Sequence, residues 1–462
     1  MVSSNSRELR PTAWKLTFII FVFSALSPEY IAPVFLVVGS IYTISKAGIH
    51  KMNLSSFSIG YSFLIFMGWM VIGAFYSNSI ISSLTSILLW TVMLANYWLC
   101  TTWVNSEEKL EKIIYGGTIA TGVNGFLGII QHLARVIFGE EAANIINPIW
   151  RFFDLLIEKF VAILPEAISS HFPRTTFMVY DDRSCGSFSN PLFFATFLVA
   201  MVPFCFFCFL NGKEKKQRIT GLICLILTLG GIASSYSRGP YIVTVIVFIL
   251  LLIYGGKKAK KVLVTGAFSG LSVILVFHNV IARLLTLGST TDSSINNRKI
   301  IWSAMLEKIP ERFFFGYGTG YDSVRSILHN EYNLKRSHAH NVILEIHMEN
   351  GIIGVILFAF ACIVFLYNIY RLYKKGGTAK NFAITFFASI AAMGLCGVTD
   401  CIFYGLKPLQ YFMLILGLTQ AAVNMFFKDE DVLGDIKKKF ISFKKNKSSQ
   451  NTEKKSKETA LK

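Results

Sequence analysis

Apolar runs recur from Trp14 to Phe427 at a length that leaves few folds open. They lie near 13–27, 30–45, 57–76, 80–103, 113–138, 190–210, 219–236, 240–254, 262–279, 341–370, 381–401 and 408–427. A hydrocarbon core about 30 Å thick takes about 20 apolar residues as a helix, which satisfies its own backbone polar groups there. Composition agrees, with 53% of residues apolar and 16% charged, where soluble domains carry about a quarter. A soluble globular enzyme, a disordered chain and a single-anchor protein are excluded. The expected fold class is all-α, a polytopic integral membrane protein with about 12 transmembrane helices. The first two runs are short and share the polar break Ser27-Pro28-Glu29, which reads as a hairpin or one bent segment. Arg7, Arg10 and Lys15 precede the first run as in a signal peptide. No small-x-small site follows and a second run begins at once, so it reads as a span.

The formal charge of +18 is placed unevenly. With the N-terminus inside and twelve alternating spans, 30 of the 45 basic residues fall in cytoplasmic segments, as the positive-inside bias requires. The topology is N-in and C-in, with residues 1–427 as the transmembrane domain. Two extracytoplasmic loops are long, 139–189 and 280–340. In the first, Arg151, Asp154 and Glu158 share one face of an apolar stretch, which predicts a helix lying in the outer interface over 149–164. The tail 428–462 is basic, cytoplasmic and expected to be disordered. Its lysines beside the last span suit the anionic inner leaflet. No base-stacking aromatics accompany them, so the expected partner is the lipid bilayer and not nucleic acid.

The eight cysteines do not form a disulfide framework. Cys205 and Cys208 make a Cys-x-x-Cys inside a Phe-rich run with no second pair and no nearby His, so they read as small buried hydrophobes and not as a zinc or redox site.

Four outer-facing clusters can carry chemistry. The first is Arg183-Ser184-Cys185-Gly186-Ser187-Phe188-Ser189-Asn190-Pro191. The second is Ser237-Arg238-Gly239-Pro240, where Arg238 is the only charge between Ile219 and Gly256. It lies on the outer side, against the positive-inside bias, and calls for an anionic partner, although an arginine at this level also snorkels to headgroups. The third opens a predicted helix with Asn296-Asn297-Arg298. Trp302, Met305, Leu306 and Ile309 line one face, Pro310 stops it, and Arg298 is expected in the first turn, where free N–H groups favour an anion. Gly316, Gly318 and Gly320 follow and read as a tight turn; a dinucleotide fingerprint would need a preceding strand. The fourth is Ser337-His338-Ala339-His340-Asn341, ahead of Glu345, Glu349 and Asn350-Gly351. Ionisable groups at membrane depth are costly and tend to be functional, and a neutral His there can take a proton from a hydroxyl.

These clusters together resemble the O-antigen ligase and polymerase superfamily. The matching elements are Gly186-x-Phe188-x-Asn190-Pro191, Ser237-Arg238-Gly239, Arg298-x-x-x-Trp302 with Gly316-x-Gly318-x-Gly320, and His340-Asn341-x-x-Leu344-Glu345 with Gly351-x-x-Gly354. Asp400 matches a late acidic position of the family less closely. The resemblance implies a metal-independent glycosyltransferase of the bacterial cytoplasmic membrane, acting on the extracytoplasmic face without a cofactor. It would move a glycan from undecaprenyl diphosphate to an acceptor hydroxyl, on lipid A–core for a ligase or on another lipid-linked repeat for a polymerase. By that analogy His340, Arg238 and Arg298 are catalytic. Arg183, Asn190, His338, Asn341, Glu345, Tyr317 and Tyr321 are candidate substrate contacts, and no residue is expected to hold a metal. Ligase and polymerase share these motifs. The rival class is a transporter or flippase of an anionic or lipid-linked substrate, which usually carries polar residues near mid-membrane on broken helices.

Overall fold

A computed structural model describes residues 14–27, 31–47, 59–139, 159, 183–254, 256–276, 293–334 and 338–427. The expected interfacial helix over 149–164 and the tail from 428 lie outside these residues. The described chain is all-helical, as a polytopic membrane protein requires. The helices are α1 (Trp14–Leu26), α2 (Ile31–Ala47), α3 (Ile59–Ala74), α4 (Ile80–Trp103), α5 (Glu107–Phe138), α6 (Pro191–Asn211) and α7 (Lys215–Ser234). They continue as α8 (Arg238–Tyr254), α9 (Ala259–Val276), α10 (Ser293–Lys308), α11 (Tyr321–Asn330), α12 (Val342–Lys375), α13 (Gly377–Gly397) and α14 (Leu406–Phe426).

Each of the twelve apolar runs is a helix. Seven of them, α4, α5, α6, α7, α12, α13 and α14, are each long and apolar enough to cross a membrane; α1, α3 and α8 are apolar but shorter. The short first pair is a hairpin, with Gly39 of α2 lying against Ile20 of α1.

Helix starts follow local chemistry. Ser79 caps α4 and Ser106 caps α5, where Glu107 and Glu108 sit in the first turn, the end at which negative charge is stabilising. Asn190 caps α6 ahead of Pro191, and Asn341 caps α12. Pro at the first helical position forfeits only an N–H that had no helical partner.

The most enclosed helices are α6 and α14, packed with Phe197, Phe204, Phe386 and Tyr411 at 1% exposure or less. On α5, Gly122 and Gly125 lie directly against Cys224 and the Leu227 carbonyl of α7. Small residues let membrane helices approach until backbones touch, which replaces the hydrophobic drive lost in lipid. The outer surface is apolar too. Ile242, Val245, Ile249 and Ile253 of α8, and Ile356 and Ile363 of α12, are exposed at helical spacing, as a lipid-facing stripe requires.

The second long loop departs from the sequence expectation in two places. The helix α10 begins at Ser293, so Arg298 is its sixth residue and stands a turn away from the free N–H groups. Leu306 is exposed, while Ile301, Ala304 and Met305 are buried. The buried face is rotated because α10 packs on the loop around Ala339 through Trp302, whose Nε1–H donates to the Ala339 carbonyl at 2.8 Å.

The three glycines form more than a turn. Inside α12 the backbone breaks at Gly351, with φ 65° and ψ −172°. The carbonyls of Met348 and Glu349 accept the N–H groups of Tyr317 (2.7 Å) and Gly318 (3.0 Å), and the Ile352 N–H donates to the Phe313 carbonyl (2.9 Å). The glycine loop therefore splints a broken span by satisfying the groups that the break releases. A Cβ on Gly316 would sit 2.6 Å from the Gly351 nitrogen, and one on Gly351 would sit 2.1 Å from the Phe314 carbonyl oxygen. No larger residue fits at either position without moving backbone.

Candidate active site

The site is assembled where the link between α13 and α14 meets the start of α12. Asn341 ends the loop by capping α12; its Oδ1 accepts the N–H groups of Ile343 and Leu344, and its Nδ2 donates to the Val398 carbonyl at 3.0 Å. Immediately before the cap, His340 takes a left-handed φ of 50°, which costs a non-glycine residue on the order of 1 kcal/mol or more. The neighbouring peptide groups are pinned on both sides. The Ala339 N–H donates to Glu345 Oε2 at 2.5 Å, and its carbonyl accepts from Trp302.

Asp400 lies opposite. Its Oδ1 is 2.8 Å from His340 Nδ1 and 3.4 Å from His338 Nε2, and it accepts the Cys401 N–H at 2.9 Å. Burial alone would raise the Asp400 carboxyl, but the hydrogen bonds and positive charge offered by His338 and His340 hold it below its ordinary value. For His338, burial works against the charged ring and is outweighed by Asp400, with Glu345 adding to the rise; the nearby Arg298 guanidinium opposes it. The two imidazoles are 4.1 Å apart, centroid to centroid, and their side chains keep about a quarter of their surface exposed beside an Asp400 that is 5% exposed. A carboxylate on Nδ1 fixes the ring orientation and leaves Nε2 as the proton acceptor.

A second carboxyl layer lies behind the histidines. Glu345 also accepts from Cys401 Sγ at 3.2 Å, and the Tyr404 hydroxyl contacts both Glu345 Oε1 and Glu349 Oε1. Tyr404 is edge-on to His338 at 5.8 Å and to Tyr321 at 5.5 Å.

The other clusters reach the same place through contacts. Gly239, after Arg238, packs against Thr399, where an added Cβ would sit 3.1 Å from Thr399 Oγ1. Arg238 is the first residue of α8 and partly exposed. The preceding residue but one, Tyr236, has φ 48°. Arg183 braces that turn, with Nε donating to the Ser235 carbonyl at 3.0 Å and Nη2 to Ser237 Oγ at 2.7 Å. The 183–190 loop is itself held by α5. Gln131 Oε1 accepts the N–H groups of Cys185 and Gly186, and Asn124 Oδ1 accepts from Ser187. From α14, the fully buried Lys407 donates to the Ser187 carbonyl at 2.7 Å and lies over the Phe188 ring.

Of the candidate residues, the structure thus gathers His338, His340, Glu345 and Tyr321 around Asp400 and Tyr404. Arg298 bears electrostatically on His338, and Arg238 flanks the same link. Asn190 uses its Oδ1 to cap α6. Tyr317 turns away, its hydroxyl bonded to the Lys308 carbonyl and to Glu311. Sequence reasoning passed over Tyr404, Gln131, Asn124 and Lys407. A polar residue inside an apolar run was the available signal for Gln131 and Asn124, and a charge at the edge of one for Lys407. Among the described residues, His338, His340 and Asp400 also form the one group with metal-ligand chemistry, their ligand atoms within 4.8 Å of one another. The cysteines are free and mostly buried.

Residues 222–359 match the family model described as O-antigen ligase. The matched stretch contains Arg238, Arg298, the glycine loop, His338, His340, Glu345 and the break at Gly351, and it bears out the resemblance to the O-antigen ligase superfamily. A function of the ligase or polymerase type follows in general terms. No curated protein matches the chain.

Proposed function

We propose that the protein is a membrane glycosyltransferase that moves a glycan from undecaprenyl diphosphate to an acceptor hydroxyl in cell-surface polysaccharide assembly. The observation that carries this reading is the 2.8 Å contact between His340 Nδ1 and Asp400 Oδ1 on a partly exposed ring, with Arg298 acting on the neighbouring His338. In the reaction the acceptor oxygen forms a bond to the anomeric carbon and gives its proton to His340 Nε2. The anomeric C–O bond to the diphosphate breaks, and its electron pair leaves with the phosphate oxygen. Asp400 steadies the imidazolium. Arg238 and Arg298 meet the charge that grows on the leaving group, since guanidinium forks match phosphate oxygens. Arg238 adds its charge to the positive end of α8, an arrangement favourable only beside an anion. Arg183 acts by bracing the Arg238 turn. The lipid-diphosphate linkage supplies the energy, so no nucleotide enters. The step needs no metal in this reading, because Arg238 and Arg298 supply the positive charge at the leaving group.

The placement of basic loops supports an active site on the extracytoplasmic face of a bacterial plasma membrane. The break in α12 is the feature most like a transporter. It is filled by the chain's own glycine loop, which favours a fixed scaffold over a solute path.

The test is reconstitution in liposomes with undecaprenyl-diphosphate-linked glycan and candidate acceptors, without nucleotide. A ladder of chain lengths identifies a polymerase and a single capped lipid identifies a ligase. Movement of substrate across the bilayer with no new glycosidic bond would replace this reading with transport. Cysteine accessibility at positions 238, 298 and 340 must report one face.

A further inference from the structure

The Tyr404 hydroxyl contacts two carboxyl groups, Glu345 Oε1 and Glu349 Oε1, and has one hydrogen to give. Both glutamates are at 8% exposure or less, and Tyr404 is the side-chain hydroxyl that meets both Oε1 atoms. Two anions facing the phenol oxygen would leave one of them against a bare lone pair. Among these three groups, the hydrogen bonds close when one carboxyl carries a proton and donates it to Tyr404, while Tyr404 donates to the other.

We infer that Glu345, Tyr404 and Glu349 form a buried unit that holds one shared proton, with Glu345 as the anion and Glu349 as the acid, and that this unit sets the charge behind the histidine turn. The assignment follows from the surroundings. Glu345 also accepts the Ala339 N–H and the Cys401 S–H, and it lies on the side of His338, whose ring charge attracts it. Glu349 is one helical turn further along α12. Both carboxyls border a cavity of about 50 Å³ whose lining includes Ser86, Phe66 and Trp90, and Glu349 lies on the side away from His338. The groups that face the unit are His338 and Cys401 from the loop and the link, the Tyr321 ring from α11, and the Gly320 N–H and Asn350 side chain at Glu349; Asp400 and His340 lie beyond His338 and Cys401. Arg298 of α10 acts on His338. An anionic Glu345 holds the Ala339 peptide and, through it, the left-handed His340. A second anion at Glu349 would repel the first.

The role in turnover rests on the transfer reading above; the protonation does not. Infrared spectroscopy of the full-length protein in lipid nanodiscs at neutral pH tests it directly. The wild-type protein is expected to show the C=O stretch of a neutral carboxylic acid. Both Glu345→Gln and Glu349→Gln are expected to lose it, because a single remaining carboxyl takes the Tyr404 hydrogen as an anion. Absence of the band in the wild type overturns the inference without any variant having to fold. Persistence of the band in either variant overturns sharing. In a transfer assay, Glu349→Gln should keep the acid limb of the pH profile. Glu345→Gln should move it down by roughly half a pH unit, since the negative charge retreats from the histidines. A limb that stays put in both variants would leave only a structural role and overturn the positioning claim.

Discussion

Two polar assemblies interrupt the apolar bundle, and they differ in how completely they are satisfied. Around the 183–190 loop, Gln131, Asn124, Ser187 and Lys407 are buried to 2% exposure or less, and each donates to or accepts from the loop or its neighbours. Around Asp400, by contrast, His338 and His340 remain about a quarter exposed, one carboxylate oxygen serves two rings, and His340 sits at a strained φ. A buried polar network with every partner in place specifies a shape. One whose imidazole rings stay about a quarter exposed leaves room for a further partner. The first assembly positions Arg183 and the Arg238 turn; the second is the proposed substrate site.

The comparison can be broken most decisively at His340. His340→Ala is expected to lower turnover about 100-fold or more, the range for a general base, while melting changes little; a variant that still turns over normally would remove chemistry from the second assembly. Arg298→Lys keeps charge but not the fork and is expected to cost about 10- to 100-fold in kcat, the worth of a charge-assisted hydrogen bond, measured with the same substrates. In the first assembly the order reverses. Lys407→Met removes the donor to two Ser187 oxygens and the Ala25 carbonyl and should destabilise by about 1–3 kcal/mol, read as a lower melting temperature, with any activity loss following the unfolded fraction. Smaller still is the pH effect on stability. His338 binds its proton more tightly when folded and Asp400 less tightly, so their attraction is fully present between about pH 4 and 6.5. It fades as pH rises through the raised His338 value and as pH falls through the lowered Asp400 value. Melting temperature should drop modestly from pH 6 to 9, and His338→Ala should flatten that slope. Cys205→Ala and treatment with a chelator should leave turnover within about twofold; collapse in either case would reopen the metal and thiol readings.

The sequence made the bundle legible because each span carries its own periodic apolar signal. It also marked Arg298 by its place ahead of Trp302 on an amphipathic helix, and His340 and Arg238 because polar groups at the ends of spans stand out against apolar surroundings. Asp400 was visible for the same reason. Tyr404 was hidden because a tyrosine at a membrane boundary has an ordinary explanation. Lys407 was counted only as an outer charge, although its side chain turns inward to Ser187. The break at Gly351 was not read from the run 341–370: Asn350-Gly351 closes its polar first turns, and only the through-space pairing with residues 313–318 reveals it. The direction of the α10 face failed for a related reason, because Trp302 is turned by its partner at Ala339 and not by helical period alone.

That pairing limits how the enzyme can breathe. Lifting residues 313–318 away would strip the Met348 and Glu349 carbonyls of their donors inside a low-dielectric layer, at several kcal/mol for each group. The glycine hairpin is therefore a permanent keel and not a hatch, and any movement of the bundle has to hinge elsewhere while that seam stays sewn.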